Sequence, residues 1–347
     1  MNISSIFSPH TPAIKNSHGQ VIPGSVASLE KVKLGGIEQW ITIRGYDVRN
    51  PLLLFLHGGP GSGEILFANL SKKKRLFSQL ERSFVFVNWD QRGCGKSYSD
   101  LIPKESMNIK QFISDTRELA EILIKRFNKQ KIYLVGHSWG SALATLVVQS
   151  YPELFEACVC IAPVVNMYEG EKISHQFALL KAKEANNQQA IKELEKFSVP
   201  VSLPNDSQAY LSNYLETKMK WLSRFSTTKY KGKIFRKLAF ILLGLLSPEY
   251  SGGDTISFAT KAIFSRYSMW NELMEINFFQ QVLQLKVPTY FCLGRLDYIA
   301  PSQLTEKYYQ LLEAPYKKLI WFDESGHSPH VEESKKFYNL MVTTILN

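Results

Sequence analysis

Short runs of apolar residues recur along the first half of the chain, without the alternation of apolar and polar positions that a half-exposed strand shows. They are LLLFL at residues 52–56, FVFV at 84–87, IYLV at 132–135 and ACVCIA at 157–162. Before the third run, residues 108–128 instead have apolar positions at a helical spacing. Strands that are apolar on both sides and separated by helices are typical of a parallel sheet covered on both faces. The pattern therefore predicts an α/β fold.

The succession of strands and helices stops between residues 166 and 285, where long helical stretches with many Lys, Tyr and Phe residues replace it. It resumes with the apolar run that ends at Asp297 and continues towards the C-terminus. We therefore predict a core formed by residues 29–165 and 286–347, interrupted by an inserted helical cap domain at residues 166–285. Residues 1–28, rich in Pro, Ser, Asn and Gly, are predicted to form an N-terminal arm.

Composition and charge narrow the range of partners. The chain has 41 Lys and Arg residues against 31 Asp and Glu residues, a formal net charge of +10. Many basic residues lie together at residues 218–237, but no helix-turn-helix, zinc-finger or aromatic RNA-binding pattern accompanies them, so we expect no nucleic-acid partner. The basic and then apolar segment 229–246 has two interpretations. In the simpler interpretation, this segment is part of the cap and packs onto the site. In the other, it makes a peripheral contact with an anionic membrane.

The sequence also bears on cellular location. The N-terminal residues lack an apolar core of signal-peptide length. The longest apolar run near the middle of the chain, residues 239–246, is far shorter than the about 18 residues that suggest a membrane-spanning helix. The four cysteines form no C-x-x-C pair. We therefore expect a cytoplasmic protein with reduced thiols and without integral membrane association.

One serine stands in a sequence that suits a nucleophile. Ser138 lies in Gly136-His137-Ser138-Trp139-Gly140, a G-x-S-x-G motif that follows an apolar run and precedes a helix of small residues. The glycines permit a crowded turn that holds the serine in a strained conformation with its hydroxyl group pointing outward. The N-terminus of the following helix favours negative charge that develops there. This placement makes Ser138 the candidate nucleophile.

A serine nucleophile needs a base and a carboxylate that orients the base. Of the seven histidines, His327 lies just after the last predicted strand, and His330 is the competing candidate. Asp297 follows a predicted strand directly and comes between the serine and the histidine in the chain. Asp323 and Glu324 lie too near His327 in the same loop to be the first choice. The order Ser138, Asp297, His327 is the one that α/β-hydrolases use.

The tetrahedral intermediate of acyl transfer needs hydrogen-bond donors for its oxyanion. One is expected to be the backbone N–H of Trp139, the residue after the candidate nucleophile. The sequence HGGPG at residues 57–61 is expected to supply a second, because its glycines have no side chain to block a close approach. Proline has no N–H group, and among the three glycines of this sequence we select Gly59 for the oxyanion hole.

Five stretches of the sequence, taken together, resemble one known family: LHGGPGSG, NWDQRGCGKS, GHSWGS, GRLDYIAP and SGHSP. The combination resembles the proline iminopeptidase family of α/β-hydrolases, also called prolyl aminopeptidases, and covers nearly the whole chain beyond the arm. The resemblance implies a mostly parallel sheet with a helical cap, and a serine peptidase that removes an N-terminal proline or another small residue from peptides. It implies a catalytic triad of Ser138, Asp297 and His327. The oxyanion hole that it implies consists of Gly59 and Trp139.

The resemblance also implies that acidic cap residues bind the ammonium group of the substrate, since a buried cation needs a carboxylate partner. Our substrate-binding candidates are Glu272 and Glu275, with Glu216 behind them. Solvent-exposed helix charges are the alternative interpretation of each. Asp90 and Arg92 are interpreted as a charged pair that fixes the loop beside the site.

A second hypothesis keeps the same triad and changes the substrate. The enzyme would then hydrolyse carboxylic esters or lipid acyl groups, with the segment 229–246 contacting lipid. A small peptide or ester substrate is the expected partner in either case. Because the sequence shows neither a metal-binding cluster nor a complete phosphate-binding loop, we predict no cofactor and no metal.

Overall fold

The computed structural model describes residues 9–65, 77–204, 207–225 and 247–346. An eight-stranded sheet runs through this part of the chain, with the strand order β1-β2-β4-β3-β5-β6-β7-β8. Its strands are β1 (Val26–Leu34), β2 (Ile37–Gly45), β3 (Leu52–Leu56), β4 (Val85–Asp90), β5 (Ile132–His137), β6 (Phe155–Ile161), β7 (Thr289–Gly294) and β8 (Lys317–Phe322). β2 pairs antiparallel with β1 and with β4, and the other neighbours are parallel. The predicted α/β fold with a mostly parallel sheet is confirmed.

Helices connect the strands and cover the sheet. Those of the described residues are α1 (Ile109–Arg126), α2 (Trp139–Ser150), α3 (Met167–Glu184), α4 (Gln188–Leu194), α5 (Gln208–Phe225), α6 (Gly252–Met274), α7 (Phe278–Gln281), α8 (Ser302–Leu311), α9 (Pro329–Glu332) and α10 (Ser334–Leu340). A π-helical segment, Met341–Ile345, follows α10. Among the described helices, none is both long enough and apolar enough to cross a membrane.

Strand β3 explains why the predicted strands are apolar throughout. Leu52, Leu54 and Leu56 belong to a core cluster that includes residues of α1 and α2. Leu53 and Phe55 belong to a second cluster, which includes residues of the C-terminal helices. Successive side chains of a strand point to opposite faces of the sheet. A strand covered on both faces, as β3 is, therefore has no solvent-facing position for a polar residue, and all five of its residues are buried.

The segment predicted as the cap contributes α3 to α7, which lie between β6 and β7 in the chain. Its two ends pair at a neck, which we define as residues 165–167 and 276–278. The Met167 N–H donates to the Ile276 carbonyl at 3.0 Å, and the Phe278 N–H donates to the Val165 carbonyl at 2.8 Å. Backbone hydrogen bonds at the neck therefore hold the first and last residues of the insertion together.

The end of the predicted N-terminal arm lies in a strand. β1 begins at Val26, so the last three residues of the predicted arm 1–28 form part of a strand. The segment 229–246, for which a membrane contact was one interpretation, lies outside the described residues.

Candidate active site

Ser138 occupies a sharp turn between β5 and α2. Its φ and ψ angles are 55° and −121°, a conformation that a residue with a side chain rarely adopts. The flanking glycines make the turn sterically possible. A Cβ atom on Gly136 would lie 2.1 Å from the Gly140 carbonyl oxygen, and one on Gly140 would lie 2.1 Å from that of Leu56. The strand, the turn and the helix thus approach too closely for any side chain at these two positions.

The structure brings the three residues of the predicted triad together at one edge of the sheet. Ser138 follows β5, Asp297 follows β7 and His327 follows β8, and the carboxyl ends of these parallel strands lie at the same edge. The His327 Nε2 atom lies 3.0 Å from the Ser138 Oγ atom. The His327 Nδ1 atom lies 2.9 Å from the Asp297 Oδ2 atom. The three side chains therefore form a continuous hydrogen-bonded chain.

The surroundings of Asp297 determine how this chain is protonated. Asp297 is buried, and its Oδ1 atom accepts hydrogen bonds from the backbone N–H groups of Ile299 at 2.9 Å and Ala300 at 3.0 Å. The Oδ2 atom is left for His327, whose Nδ1–H donates to it. With the proton on Nδ1, Nε2 presents a lone pair to the hydroxyl group of Ser138. This is the tautomer that a general base needs.

Two further side chains hold the loop that carries His327. The Glu332 carboxylate accepts hydrogen bonds from the N–H groups of Gly326 at 2.9 Å and Ser328 at 3.1 Å, on either side of the histidine. The His137 Nε2–H donates to the His327 carbonyl at 2.7 Å, and burial lowers the pKa of His137 to about 3, so its imidazole is neutral. Neither positioning role is predictable from the sequence, because one depends on a contact across about half the chain and the other on contacts within a short irregular loop.

The glycine-rich loop lies against the serine, as an oxyanion-hole loop must. A Cβ atom on Gly58 would lie 3.2 Å from the Ser138 Cβ atom. Gly59 has a φ of 119°, and a Cβ atom there would lie 2.6 Å from the Gly61 nitrogen, so only glycine fits. Gly59 and Trp139, the two predicted oxyanion-hole residues, both line the cavity above Ser138. Trp139 is the first residue of α2, where backbone N–H groups have no partner within the helix.

His57 and Gln91 join the glycine-rich loop to the loop after β4. Burial lowers the pKa of His57 to about 4, and its neutral ring donates from Nδ1 to the Gly58 carbonyl at 2.8 Å. Its Nε2 atom accepts from the Gln91 N–H at 3.1 Å. The Gln91 side chain donates to the His57 carbonyl and accepts from the indole N–H of Trp139 at 3.0 Å. This buried network orients the backbone on both sides of the serine.

Asp90 and Arg92 fix the loops beside the site, but the predicted pairing between them is wrong. Arg92 instead forms a two-point ion pair with Asp115 of α1, at 2.8 Å and 3.0 Å. Asp90 accepts from the N–H groups of Ile65 and Lys96 and from the hydroxyl group of Tyr250. Burial raises its pKa to about 6 despite these donors. The sequence could not reveal these partners, since Tyr250 is 160 positions away from Asp90.

A cavity of about 300 Å³ lies above Ser138 and His327. Its floor is the glycine-rich loop and the serine turn, and its roof comes from α3, α5 and α6 of the cap. The apolar side chains of its wall include Val165, Met167, Leu215, Trp270, Leu273 and Leu304. Outside the triad, the charged or ionisable side chains of the lining are Glu64, His137, Glu171, Lys218 and Arg266. A substrate over the serine is therefore enclosed by an apolar wall that carries a few ionisable groups.

Glu272 and Glu275, the predicted substrate-binding residues, do not line this cavity. Both are exposed, as is Glu216 behind them. The Glu272 carboxylate accepts from the N–H of Ile109 at 2.7 Å, in the first turn of α1. Because an α-helix turns through about 100° per residue, Glu272 lies on a different side of α6 from the cavity-lining Leu273, and Glu275 lies just beyond the end of this helix. Their charges are thus turned away from the serine.

The carboxyl groups that do line the cavity are Glu64 and Glu171. Glu171 accepts from the Tyr214 hydroxyl at 2.8 Å and pairs with the buried ammonium group of Lys218. Burial, and to a lesser extent the nearby Asp90, raises the pKa of Glu64 to about 8. Glu64 directly follows the GGPGSG sequence, and that position was the one signal that could have identified it.

Glu64, His137 and His330 are the described residues that come near enough to one another to hold a metal ion, with ligand atoms within 4.8 Å. The His137 Nε2–H is already used by the His327 carbonyl. Burial also lowers the pKa of His330 well below its usual value, so both rings are neutral. The sequence-based expectation of no metal stays a prediction.

Comparison with known proteins places this geometry in a family. The family of the alpha/beta hydrolase fold matches residues 51–334. "Probable aminopeptidase YbaC" of Bacillus subtilis (strain 168) is 36% identical over 317 residues, which are 91% of this chain and 96% of that protein. The "Proline iminopeptidase" of Heyndrickxia coagulans is 22% identical over 291 residues, which are 82% of this chain and 87% of that protein.

A solved structure agrees in fold. The proline iminopeptidase of Mycobacterium smegmatis superposes with a TM-score of 0.62 at 14% sequence identity, over 92% of this chain and 98% of that one. At this level of identity the likeness concerns the fold alone. The predicted resemblance to proline iminopeptidases is confirmed by the sequence relatives, and the chain belongs to the α/β-hydrolase fold family.

Proposed function

We propose that this protein is a serine hydrolase of proline iminopeptidase type, which releases an N-terminal proline or another small residue from short peptides through an acyl-enzyme. The observation that carries the proposal is the hydrogen-bonded chain from Asp297 through His327 to Ser138, at the floor of the cavity beneath the cap. The names of the sequence relatives support the choice of an aminopeptidase.

In the acylation step, Ser138 Oγ attacks the carbonyl carbon of the first peptide bond, and its proton passes to His327 Nε2. The backbone N–H groups of Trp139 and Gly59 stabilise the oxyanion. The imidazolium, held by Asp297, then donates its proton to the amide nitrogen, the C–N bond breaks and the shortened peptide leaves. The N-terminal residue remains as an ester on the serine.

Deacylation repeats these steps with a water molecule in place of the serine hydroxyl group. His327 takes a proton from the water molecule, the resulting nucleophile attacks the ester carbonyl, and the oxyanion forms again at the same donors. When the intermediate collapses, the proton returns to Ser138 Oγ and the free amino acid leaves. The same three side chains therefore serve both halves of the reaction.

An exopeptidase must also bind the free ammonium group of its substrate. We infer that Glu64, rather than Glu272 or Glu275, is the carboxyl group that does so. It lines the cavity and has no ion-pair partner among the described residues. An ammonium group beside it favours the ionised form, so substrate binding lowers a pKa that burial holds at about 8 in the empty cavity.

Carboxylic ester hydrolysis is the second candidate function. The apolar residues of the cavity wall favour it, because an uncharged acyl chain would lose no hydrogen bonds on entering. The triad would act in the same way, and Glu64 would stay protonated.

Initial rates of wild type and the Ser138→Ala variant on matched substrates separate these functions. The panel consists of proline and alanine p-nitroanilides with free amines, their N-acetylated forms, and short and long p-nitrophenyl esters. We expect cleavage of the free-amine substrates, refusal of the acetylated forms, and a loss of about 10⁴-fold or more in kcat for Ser138→Ala.

The matched control is Ser150→Ala, at the far end of α2, where the hydroxyl group donates to the Leu146 carbonyl and to no other group of the described residues. It should retain wild-type rates. Ester turnover alone, still abolished by Ser138→Ala, would assign the protein to the ester hydrolases. Peptidase activity that survives Ser138→Ala would overturn the assignment of the nucleophile.

A further inference from the structure

Arg266 lies in the roof of the cavity, on the face of α6 that looks towards the serine. Arg266, Trp270 and Leu273 all line the cavity, and their spacing of four and three residues places them on one side of the helix. The guanidinium group makes no hydrogen bond or ion pair with any residue in the described part of the chain. Burial lowers the pKa of Arg266, which reflects the poor solvation of its charge.

The carboxylate that acts electrostatically on Arg266 is already engaged. Glu171 influences Arg266 electrostatically, but its carboxylate pairs with Lys218 and accepts from the Tyr214 hydroxyl. The side chain of Lys218 is 1% exposed and that of Glu171 is 9% exposed, so the two charges cancel inside the protein. Within the described residues, Glu64 forms no ion pair with Arg266 either. The roof therefore presents one positive charge that no residue in the described part of the chain neutralises.

A guanidinium group in this position suits one class of ligand. Its planar arrangement of N–H donors matches the two oxygens of a carboxylate, and such pairs are strongest where water is excluded. An unpaired charge in a largely apolar cavity is unfavourable until a partner arrives. The cavity volume of about 300 Å³ lies at the lower end of the range for ligand pockets, so the molecule that carries the carboxylate must be small.

We propose that Arg266 binds a carboxylate group of the substrate, so that the preferred substrates are very short peptides whose free C-terminal carboxylate reaches the cavity roof. The inference rests on the proposed function and specifies its substrate class. Ser138 and His327 act on the scissile bond at the floor, and Arg266 holds the far end of the same molecule. Dipeptides and tripeptides would then be preferred over longer peptides and over substrates without a negative charge.

An acidic side chain next to the scissile bond offers the same chemistry as a C-terminal carboxylate, and the test distinguishes the two. Three substrates share the N-terminal residue X that the p-nitroanilide assay selects. They are the dipeptide X–Gly, its C-terminal amide X–Gly-NH2, and X–Asp-NH2, in which the only carboxylate belongs to the side chain. The values of kcat and KM for each are measured with wild type, Arg266→Gln and Arg266→Lys.

We expect wild type to prefer X–Gly over X–Gly-NH2 by about 10- to 100-fold in kcat/KM, the range typical of a hydrogen-bonded charge, and mainly through KM. Arg266→Gln should bring this ratio close to one, chiefly because it weakens the binding of the dipeptide X–Gly. Arg266→Lys should retain part of the preference, because it keeps the charge but loses the planar fork of donors. The matched control is Arg224→Gln: Arg224 is exposed on the cap and stacks on Trp221, and it should behave as wild type.

The outcomes separate this inference from the proposed function. Cleavage of the free-amine p-nitroanilide, which has no carboxylate, without any preference for X–Gly over its amide would overturn the role of Arg266 and leave the aminopeptidase intact. An equal loss on all three substrates in Arg266→Gln would do the same, since it would indicate a structural role. A preference for X–Asp-NH2 over X–Gly would overturn the C-terminal carboxylate as the source of the charge. Failure to cleave any free-amine substrate, the p-nitroanilides included, would overturn the proposed function itself.

Discussion

At the scale of single residues, Asp297 shows how much a hydrogen-bond pattern can decide. Its Oδ1 atom accepts from two backbone N–H groups, and its Oδ2 atom accepts from His327. An asparagine here would keep its oxygen on the two N–H groups and would turn its NH2 group towards the imidazole. His327 Nδ1 would then have to accept a hydrogen bond, so the ring proton would move to Nε2 and face Ser138.

We therefore predict that Asp297→Asn lowers kcat by about 10⁴-fold while the protein stays folded, because the imidazole is held in the wrong tautomer. The measurement is kcat on the best substrate of the panel, with circular dichroism as a check on folding. Asp323→Asn is the matched control: Asp323 is exposed and pairs with Arg295 on the surface. A loss of similar size in the two variants would contradict the proposed role of Asp297.

The residues of the candidate site differ in how far sequence could predict them. Ser138, Asp297 and His327 could be selected because each follows a strand, and the ends of parallel strands meet at one edge of a sheet. Glu64 and Arg266 could not be selected in this way. The packing of the cap determines which side of α6 faces Ser138. The helical spacing of apolar residues alone does not predict the rotation of α6 about its axis. Glu272 was selected on the same helix and lies outside the cavity.

At the scale of elements, the junction of β5 and α2 depends on close contact between backbones. A Cβ atom on Gly140 would lie 2.1 Å from the Leu56 carbonyl oxygen in β3. Since the obstacle is backbone in a central strand, it cannot move aside as a flexible side chain could. The approach of the helix to the sheet is what places the serine turn above the strand ends.

We predict that Gly140→Ala lowers the free energy of unfolding by at least the about 1–3 kcal/mol typical of overpacking, because helix and strand must separate. Urea unfolding measures this change. Gly170→Ala is the matched control inside α3, since its added Cβ atom would meet nothing closer than 3.9 Å. That variant should be unchanged or up to about 1 kcal/mol more stable, from helix propensity. Equal effects of the two substitutions on the free energy of unfolding would show that the contact between Gly140 and β3 does not exclude a side chain.

The fold itself was predictable at this scale, whereas the details of the loops were not. Residues 52–56 read as a strand covered on both faces, and β3 is such a strand. The loops after β3 and β4 are instead held by partners that no local pattern indicates. Gln91, which joins His57 to Trp139, has no distinctive spacing, and its role follows only from the way in which the two loops meet.

At the scale of the whole molecule, the titration of a buried group alters the balance between the folded and unfolded states. Glu64 has a pKa of about 8 in the folded protein, against an ordinary value of 4.5. Below pH 4.5 both states hold the proton. Between 4.5 and 8 the unfolded chain releases it and the folded protein keeps it, so stability falls as pH rises. Above pH 8 this group has no further effect.

We therefore predict that Glu64→Gln stabilises the protein at pH 8 relative to wild type, and that the advantage disappears as pH falls to 4.5. Glutamine resembles the protonated carboxyl group in shape and has no proton to lose in this range. The slope of the difference should approach at most about 1.4 kcal/mol per pH unit. Unfolding temperatures of the two proteins across this range provide the measurement. A difference independent of pH would show that Glu64 ionises normally in the folded state.

The neck at the base of the cap has a consequence for how such an enzyme can evolve and how it can be engineered. Because Val165 bonds to Phe278 and Met167 bonds to Ile276, the insertion leaves and re-enters the core through one paired stem. Ser138 precedes this stem in the chain, and Asp297 and His327 follow it. The segment between the two halves of the stem can therefore be exchanged as a unit to alter what the enzyme accepts, provided that the exchange keeps Tyr250, whose hydroxyl group bonds to Asp90 beside the site.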